Sequence, residues 1–329
     1  MADPPTASQD PEAAGPRIPV GISSCLLGEE VRFDGQHKRD AYINGTLSQY
    51  FAFVPVCPEM AIGLGVPREP IRLVADKGEP VRVVGTRNPD MDVTADLHAY
   101  GERMAHELTD IHGYILKRAS PSCGMERVKV YKPDGHPLTT AAGAYAGTLM
   151  AERPNLPVEE EGRLGDPVLR ENFIERVFVH ERWHREVTAE PTPSALVAFH
   201  SAHKLLLMAH NQEAYRRLGR LVAEAGTGDI AATADSYFDE LMGALRQPAT
   251  RKGHANVLYH LMGHLKEHLD GDDKAELSEL IESYRTGYVP LIVPITLLNH
   301  HFRRHPDPYV ARQVYLQPHP AELMLRNRL

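Results

Sequence analysis

No run in this sequence approaches the roughly 20 consecutive apolar residues that a membrane helix needs, so no membrane role is expected. The start, MADPPTASQDPEAAGPR, lacks the apolar stretch of a secretory signal. Its Pro, Ala and acidic residues read instead as a disordered tail over residues 1–17. Cysteine is scarce: the chain has 3, an odd number, with no CxxC pair. A zinc ribbon or a thioredoxin-like redox pair is therefore without support, and thiols with no secretion signal fit the reducing cytoplasm. A basic surplus is missing too, since Lys+Arg 36 against Asp+Glu 44 leaves a net charge of -8. That argues against coating nucleic acid by bulk charge, yet leaves room for a local basic groove. No internal repeat stands out.

What is present supports two domains. A hydrophobic fraction of 42% over 329 residues can bury a real core. Ile18–Ile22, Phe51–Val56 and Gly113–Leu116 read as short buried strands. Ile71–Val74 and Pro80–Val84 alternate apolar with polar residues, as a half-exposed hairpin would. Thr94–His112 reads as a helix with Thr94 as its N-cap. Strands separated by helical stretches predict a Rossmann-like open parallel sheet, an α/β domain over residues 18–165. Residues 152–165 read as a connection, and Asp166–His184 as a helix carrying Phe173, Val177 and Trp183 on one stripe. Beyond Pro191 and Pro193 only helical periodicity follows, predicting an all-α domain over residues 166–329.

Each cysteine follows a predicted strand: Cys25 the first, Cys57 the second, Cys123 the third. In an open parallel sheet the carboxyl ends of the strands face one crevice, where ligands bind. Counted alone, three thiols read as buried structural groups, because free cysteine behaves as a small hydrophobe. Their shared placement, beside Ser, Pro and Gly in loop-forming segments, points to a ligand role instead. Three thiolates suit an iron–sulfur cluster that leaves one iron without a protein ligand, whereas complete ligation takes four.

The segments around the cysteines stand as Ser23-Ser24-Cys25-Leu26-Leu27-Gly28 with Val31-Arg32-Phe33-Asp34-Gly35, then Cys57-Pro58-Glu59, then Ser120-Pro121-Ser122-Cys123-Gly124. They resemble the bacterial thiouracil desulfidase family over about Ile18–Met150, with Phe33 a mild variation where tyrosine is commoner. The second half looks like the helical domain that accompanies this module in a longer form, which resembles the tRNA 4-thiouridine desulfidases. The resemblance implies that Cys25, Cys57 and Cys123 bind a [4Fe–4S] cluster with its fourth iron open. It implies acid–base chemistry and substrate activation for Glu59 and Ser120. Taken singly, Glu59 reads as an exposed loop carboxylate and Ser120 as a turn residue before Pro121.

Other residues are candidates on weaker signals. Ser24, Asp34, Asn44 and Ser122 are placed near the pocket, and Arg68 reads equally as a phosphate or base contact and as a structural ion pair. Gly63-Leu64-Gly65 lacks the third glycine of a dinucleotide fingerprint and reads as a tight turn. Lys38 and Arg39 form a basic spot near the pocket. Arg251, Lys252 and His254, with Arg246 and Lys204, form the best candidate RNA patch, with solvated helix ends as the plain alternative. His260 and His264 share a helix face at a spacing metals use, but without a carboxylate pattern helix packing or RNA contact is preferred. The leading expectation is a cluster-dependent desulfidase acting on 4-thiouridine in tRNA. A desulfidase of free thiolated bases or nucleosides, and a non-catalytic iron–sulfur RNA-binding or sensor protein, are the rival readings.

Overall fold

The structure is a computed structural model that describes residues 16–328. The expected tail therefore lies outside the described residues except at positions 16 and 17. The chain divides between Arg153 and Pro154 into two compact units, earlier than the boundary expected near residue 165. No helix among the described residues is long and apolar enough to cross a membrane.

The first unit is built on two sheets. In one, β1 (Ile18–Ser23) lies between β2 (Phe51–Val56) and β5 (Tyr114–Leu116). Both pairings are parallel, with Ile18 opposite Phe51, Ser23 opposite Val56 and Gly21 opposite Tyr114. β1 and β5 are apolar on both faces, as expected of strands covered on both sides. The order β2-β1-β5 places the topological switch at β1, and all three strands end on the same edge. The expected parallel α/β sheet is thus present, and its ligand-binding edge is the one the cysteines follow.

A second sheet, less legible from the sequence, has the order β4-β3-β6-β7. β3 (Ile71–Val74) pairs antiparallel with β4 (Arg82–Gly85) and parallel with β6 (Val128–Tyr131). β7 (Pro137–Ala141) returns antiparallel along β6. The anticipated hairpin of β3 and β4 is more buried than its alternation suggested, because Leu73 and Val83 enter a small core with Leu97 and Val130. Helix α1 (Ala41–Gly45) follows β1, α2 (Pro58–Ala61) follows β2, and α3 (Thr94–Glu107) and α4 (Ala144–Glu152) complete the unit. Thr94 is the first residue of α3, not its cap. Its hydroxyl accepts from Val83 N–H at 2.8 Å, and the helix stops at Glu107, before His112.

Among the described residues of the second unit a short strand, β8 (Val158–Glu160), precedes seven α-helices: α5 (Pro167–Trp183), α6 (Pro193–His210), α7 (Gln212–Ala223), α8 (Ile230–Leu245), α9 (Arg251–Gly263), α10 (Gly271–Thr286) and α11 (Ile292–Arg304). Their starts follow local chemistry. Asp166, Thr192, Asn211, Asp229, Thr250 and Asp270 each cap a helix by accepting a backbone N–H at its open end. The core is aromatic at its centre: Trp183 stacks on Tyr237 and Phe238 at 5.3 and 5.0 Å, with Phe199 edge-on at 5.0 Å. Short 3₁₀ turns between Val310 and Asn327 close the chain over this unit.

Candidate active site

The strand ends bring the cysteines together. After Ser23 the chain enters a 3₁₀ turn, Ser24–Leu26, that leaves Cys25 8% exposed. The Cys25 carbonyl accepts from Lys38 N–H at 2.8 Å, which pins the loop between them. Cys57 is the N-cap of α2, and Pro58 at the first helical position gives up an N–H that would have had no partner. The turn puts Glu59 two residues beyond the thiol. Cys123 lies in the Ser120–Gly124 turn after β5, where Ser120 Oγ accepts the N–H groups of Ser122 at 3.2 Å and Cys123 at 3.0 Å.

Glycine is required twice around this turn. A Cβ on Gly124 would stand 2.2 Å from Val128 Cγ2 and 2.9 Å from the Ser120 carbonyl oxygen. One on Gly143 would stand 2.6 Å from the Ser122 carbonyl. Neither backbone can approach so closely with a side chain present. Ala119 just ahead has φ +58°, a left-handed conformation that costs an alanine free energy.

All three thiols line one cavity of about 420 Å³, with Glu59, Arg68, Ser24 and Ser120 also in its wall. That is within the size range of small-molecule sites. Burial raises the thiol pKa of Cys57 and, more strongly, of Cys123. For Cys123 the charges of Glu59, Cys57 and Cys25 add to that rise, and a hydrogen bond with Ser23 opposes it. Three soft sulfur donors within electrostatic reach of one another, with no fourth cysteine in the chain, form a donor set that fits an iron–sulfur cluster. Buried neutral thiols convert to thiolates on metal binding, which releases their protons.

Glu59 is held by donors on both oxygens. Arg68 Nε and Nη2 reach Oε2 at 2.9 and 2.6 Å, and Ser122 Oγ donates to Oε1 at 2.9 Å. Arg68 is 5% exposed and spends its remaining donors on the carbonyls of Gly65 and Val31, at 2.8 and 2.9 Å. Of the two readings of Arg68, the structure gives the ion pair, and its fork has no face left for a phosphate. Glu59 is likewise a half-buried, ordered group rather than an exposed loop carboxylate.

Other candidates separate from the site. Ser122 is fully buried behind it and acts through Glu59. Asp34 is exposed, accepts Gln36 N–H in its own turn and lies 3.6 Å from Arg32. Asn44 donates to the Leu26 and Asp40 carbonyls, bracing the loop after Cys25 from outside the cavity. Lys38 does line the cavity, whereas Arg39 is exposed beside it. Arg32, part of the Val31–Gly35 motif, also lines it, as do Lys117 and Arg118, two cations that no local sequence pattern singled out.

In the helical unit Arg246 and Lys252 are exposed, while Lys204 packs over the Tyr309 ring at 4.6 Å. Arg251 is half-buried, bonded to the Tyr284 carbonyl at 2.8 Å. His254 is 8% exposed and bonded to Tyr315, inside the unit rather than on its surface. His264 is engaged by Asp307 at 2.9 Å, so its pairing with His260 is not a free two-histidine face.

Comparison with known proteins places both halves. A family described as 2-thiouracil desulfurase matches residues 20–161. A second, described as a protein of unknown function (DUF1722), matches residues 204–320. The uncharacterized protein YbgA of Escherichia coli (strain K12) is 33% identical over 156 residues, 46% of this chain and 90% of its own. The uncharacterized protein YbbK of Bacillus subtilis (strain 168) is 33% identical over 113 residues, 31% of this chain and 71% of its own. A solved structure of a [4Fe-4S]-dependent thiouracil desulfidase, TudS, is 28% identical, covering 46% of this chain and 95% of its own, with a TM-score of 0.35. The cysteine pocket lies wholly within the first match, and the chain belongs to the 2-thiouracil desulfurase family.

Proposed function

We propose that the protein removes sulfur from 4-thiouridine in tRNA, giving uridine and sulfide without net electron transfer. In this reading Cys25, Cys57 and Cys123 hold a [4Fe–4S] cluster with one iron lacking a protein ligand. The observation that carries it is the convergence of three thiols and one oriented carboxylate on a single cavity. Three cysteines kept as thiols, without a disulfide, would suit the cytoplasm. When bound, the cluster supplies a soft Lewis acid for the thiocarbonyl sulfur.

The chain's own residues handle protons and orientation. Glu59, fixed by the Arg68 fork and Ser122, takes a proton from the water that adds to the thiocarbonyl carbon. The C–O bond forms, the C–S bond breaks, and sulfur leaves as sulfide. Ser120 Oγ already accepts two N–H bonds, so its own hydroxyl proton serves as the donor toward the substrate ring or the departing atom. The water's two protons end on the departing sulfur, which balances the exchange of sulfur for oxygen.

The wall of the cavity supports a polyanionic substrate. Arg32, Lys38, Lys117 and Arg118 line it together with the engaged Arg68, and Glu59 is its one carboxylate. A neutral thiolated base gains little from such a field, whereas a phosphodiester backbone gains directly. The helical unit would add contacts through exposed Arg246 and Lys252, with Arg39 on the first unit. The cavity volume by itself suits a free thiolated base or nucleoside, which is the second reading. Anaerobic reconstitution followed by incubation with thiolated tRNA and, separately, free 4-thiouridine decides between them. Loss of the near-ultraviolet thiocarbonyl absorbance with sulfide release is expected on tRNA. Turnover of the free nucleoside alone assigns the second reading, and a bound cluster that releases sulfide from neither substrate makes the protein non-catalytic.

A further inference from the structure

The helical unit holds a second group of buried ionisable side chains that the desulfidase chemistry does not use. Glu175 and His210 are each nearly inaccessible, and their side chains meet at 2.7 Å through Nε2 and Oε1. The other ring nitrogen of His210 faces the Gln247 carbonyl at 2.7 Å. Both nitrogens thus face oxygen atoms of neighbouring groups. Burial alone would raise Glu175, but the neighbouring His210 overrides it and holds the carboxyl down to about 2.

Arg326 completes the group from the closing 3₁₀ turns. Its side chain is 5% exposed, it lies over the Tyr315 ring, and only Nη1 is hydrogen-bonded, to the Tyr315 carbonyl at 2.7 Å. Nε and Nη2 have no hydrogen-bond partner. The carboxylates of Glu171 and Glu175 stand 3.6 and 3.8 Å away, beyond hydrogen-bond range. A buried guanidinium with two idle donors is costly unless something accepts from them.

These donors border a cavity of about 40 Å³ that Arg251, Arg328 and Tyr284 also line. A water needs roughly 10–15 Å³ by the same measure, so there is room for a compact group of a few heavy atoms. Arg251, Arg326 and Arg328 bring three guanidinium groups to a cavity whose carboxylates are Glu171 and Glu175, and Glu175 is already held by His210. The cationic surplus calls for an anion. Glu171 lines the same cavity; ionised above about pH 7, to which burial raises it, it only accepts, so an oxygen facing it must carry a proton.

We propose that this pocket binds one phosphate group, with Arg251, Arg326 and Arg328 as its cationic donors and Glu171 facing its protonated oxygen. Hydrogen phosphate carries oxygens that accept from the guanidinium groups and the P–OH that an ionised Glu171 calls for, whereas sulfate has no proton to offer. The group belongs either to free inorganic phosphate or to a phosphate monoester whose remainder stays outside, beside exposed Arg328. The inference stands on the helical unit alone and does not depend on the desulfidase reading.

Titration calorimetry on the full chain, at constant ionic strength with chloride as the background, tests it. Inorganic phosphate should bind with a stoichiometry of one, and sulfate at least about tenfold more weakly, the worth of one charge-assisted hydrogen bond. Arg328→Gln should weaken phosphate about tenfold on the same ground while leaving the fold intact, because this side chain is exposed. Arg251→Gln supplies a second variant with the same expected loss. A nucleoside 5′-monophosphate that binds at least as tightly as phosphate assigns a covalently attached group, and binding of inorganic phosphate alone assigns the free ion. No phosphate heat, equal affinity for sulfate, or undiminished binding in both variants overturns the proposal.

Discussion

Acidification should unfold the helical unit well before ordinary acid denaturation. His200, His203, His254 and His319 are each at most 8% exposed, and burial lowers them from 6.5 to about 4, about 3, about 3 and about 4. For a base whose folded pKa is depressed, the unfolded chain takes up the proton first. The stabilisation is complete above 6.5 and is lost as pH falls toward the folded values. Between about pH 7 and about pH 5 each histidine forfeits about 2 kcal/mol, so four together remove about 8 kcal/mol. Glu171 acts in the opposite sense: burial raises it to about 7, so protonation relieves a strained carboxylate and returns about 2 kcal/mol over the same window. Glu175, held at about 2, contributes to the change only below its ordinary 4.5. A net loss of roughly 6 kcal/mol is comparable to the whole stability of a typical domain. Trp183, the one tryptophan of the chain and 3% exposed in this unit, reports the event by fluorescence. The urea midpoint should collapse between these two pH values, with a red shift of emission in buffer alone near the lower one. His203→Gln keeps a donor for the Phe199 carbonyl, which His203 Nδ1 faces at 2.9 Å, and should flatten the pH dependence by about 2 kcal/mol. A midpoint that stays constant over the window, or a His203→Gln slope equal to that of the parent, refutes the reasoning.

Three further outcomes concern the pocket. Arg68→Met leaves the Glu59 carboxylate, 15% exposed, without its fork and should destabilise the first unit by about 3 kcal/mol; Glu59→Gln in the same chain should restore part of it, and calorimetry that shows strictly additive losses would break the coupling. Ser122→Ala should lower kcat about tenfold through the lost bond to Glu59, with iron content and KM unchanged; loss of iron instead would make Ser122 a structural support of the cysteines. Lys117→Gln should raise KM for thiolated tRNA several-fold and reduce its salt dependence by about one ion, leaving turnover of free 4-thiouridine unaltered; a change shared by both substrates would detach Lys117 from phosphate binding.

The sequence alone determined what depends on near neighbours. Three apolar runs each followed by cysteine placed the thiols at strand ends, because strand length and loop chemistry are set within a few residues. Asp166 and Thr192 start their helices by equally local chemistry, although Thr94, the cap read from sequence, proved to be the first helical residue. Sequence also showed that no fourth cysteine exists to close a cluster. Tertiary structure decided the rest. Arg68 reads as a phosphate contact or an ion pair until the fold brings it nine residues back onto Glu59, with Val31 as a further acceptor. His254 looks like part of a basic surface run, yet helical phase turns it onto Tyr315, where burial removes its charge. Lys117 and Arg118 follow a buried strand without any motif, and become part of a cationic wall only because β5 ends beside β1. Arg326 and Glu175 lie far apart in the chain and meet only through packing. Local patterns name the groups able to do chemistry; which of them face a common space is fixed by long-range contacts that carry no periodic signature.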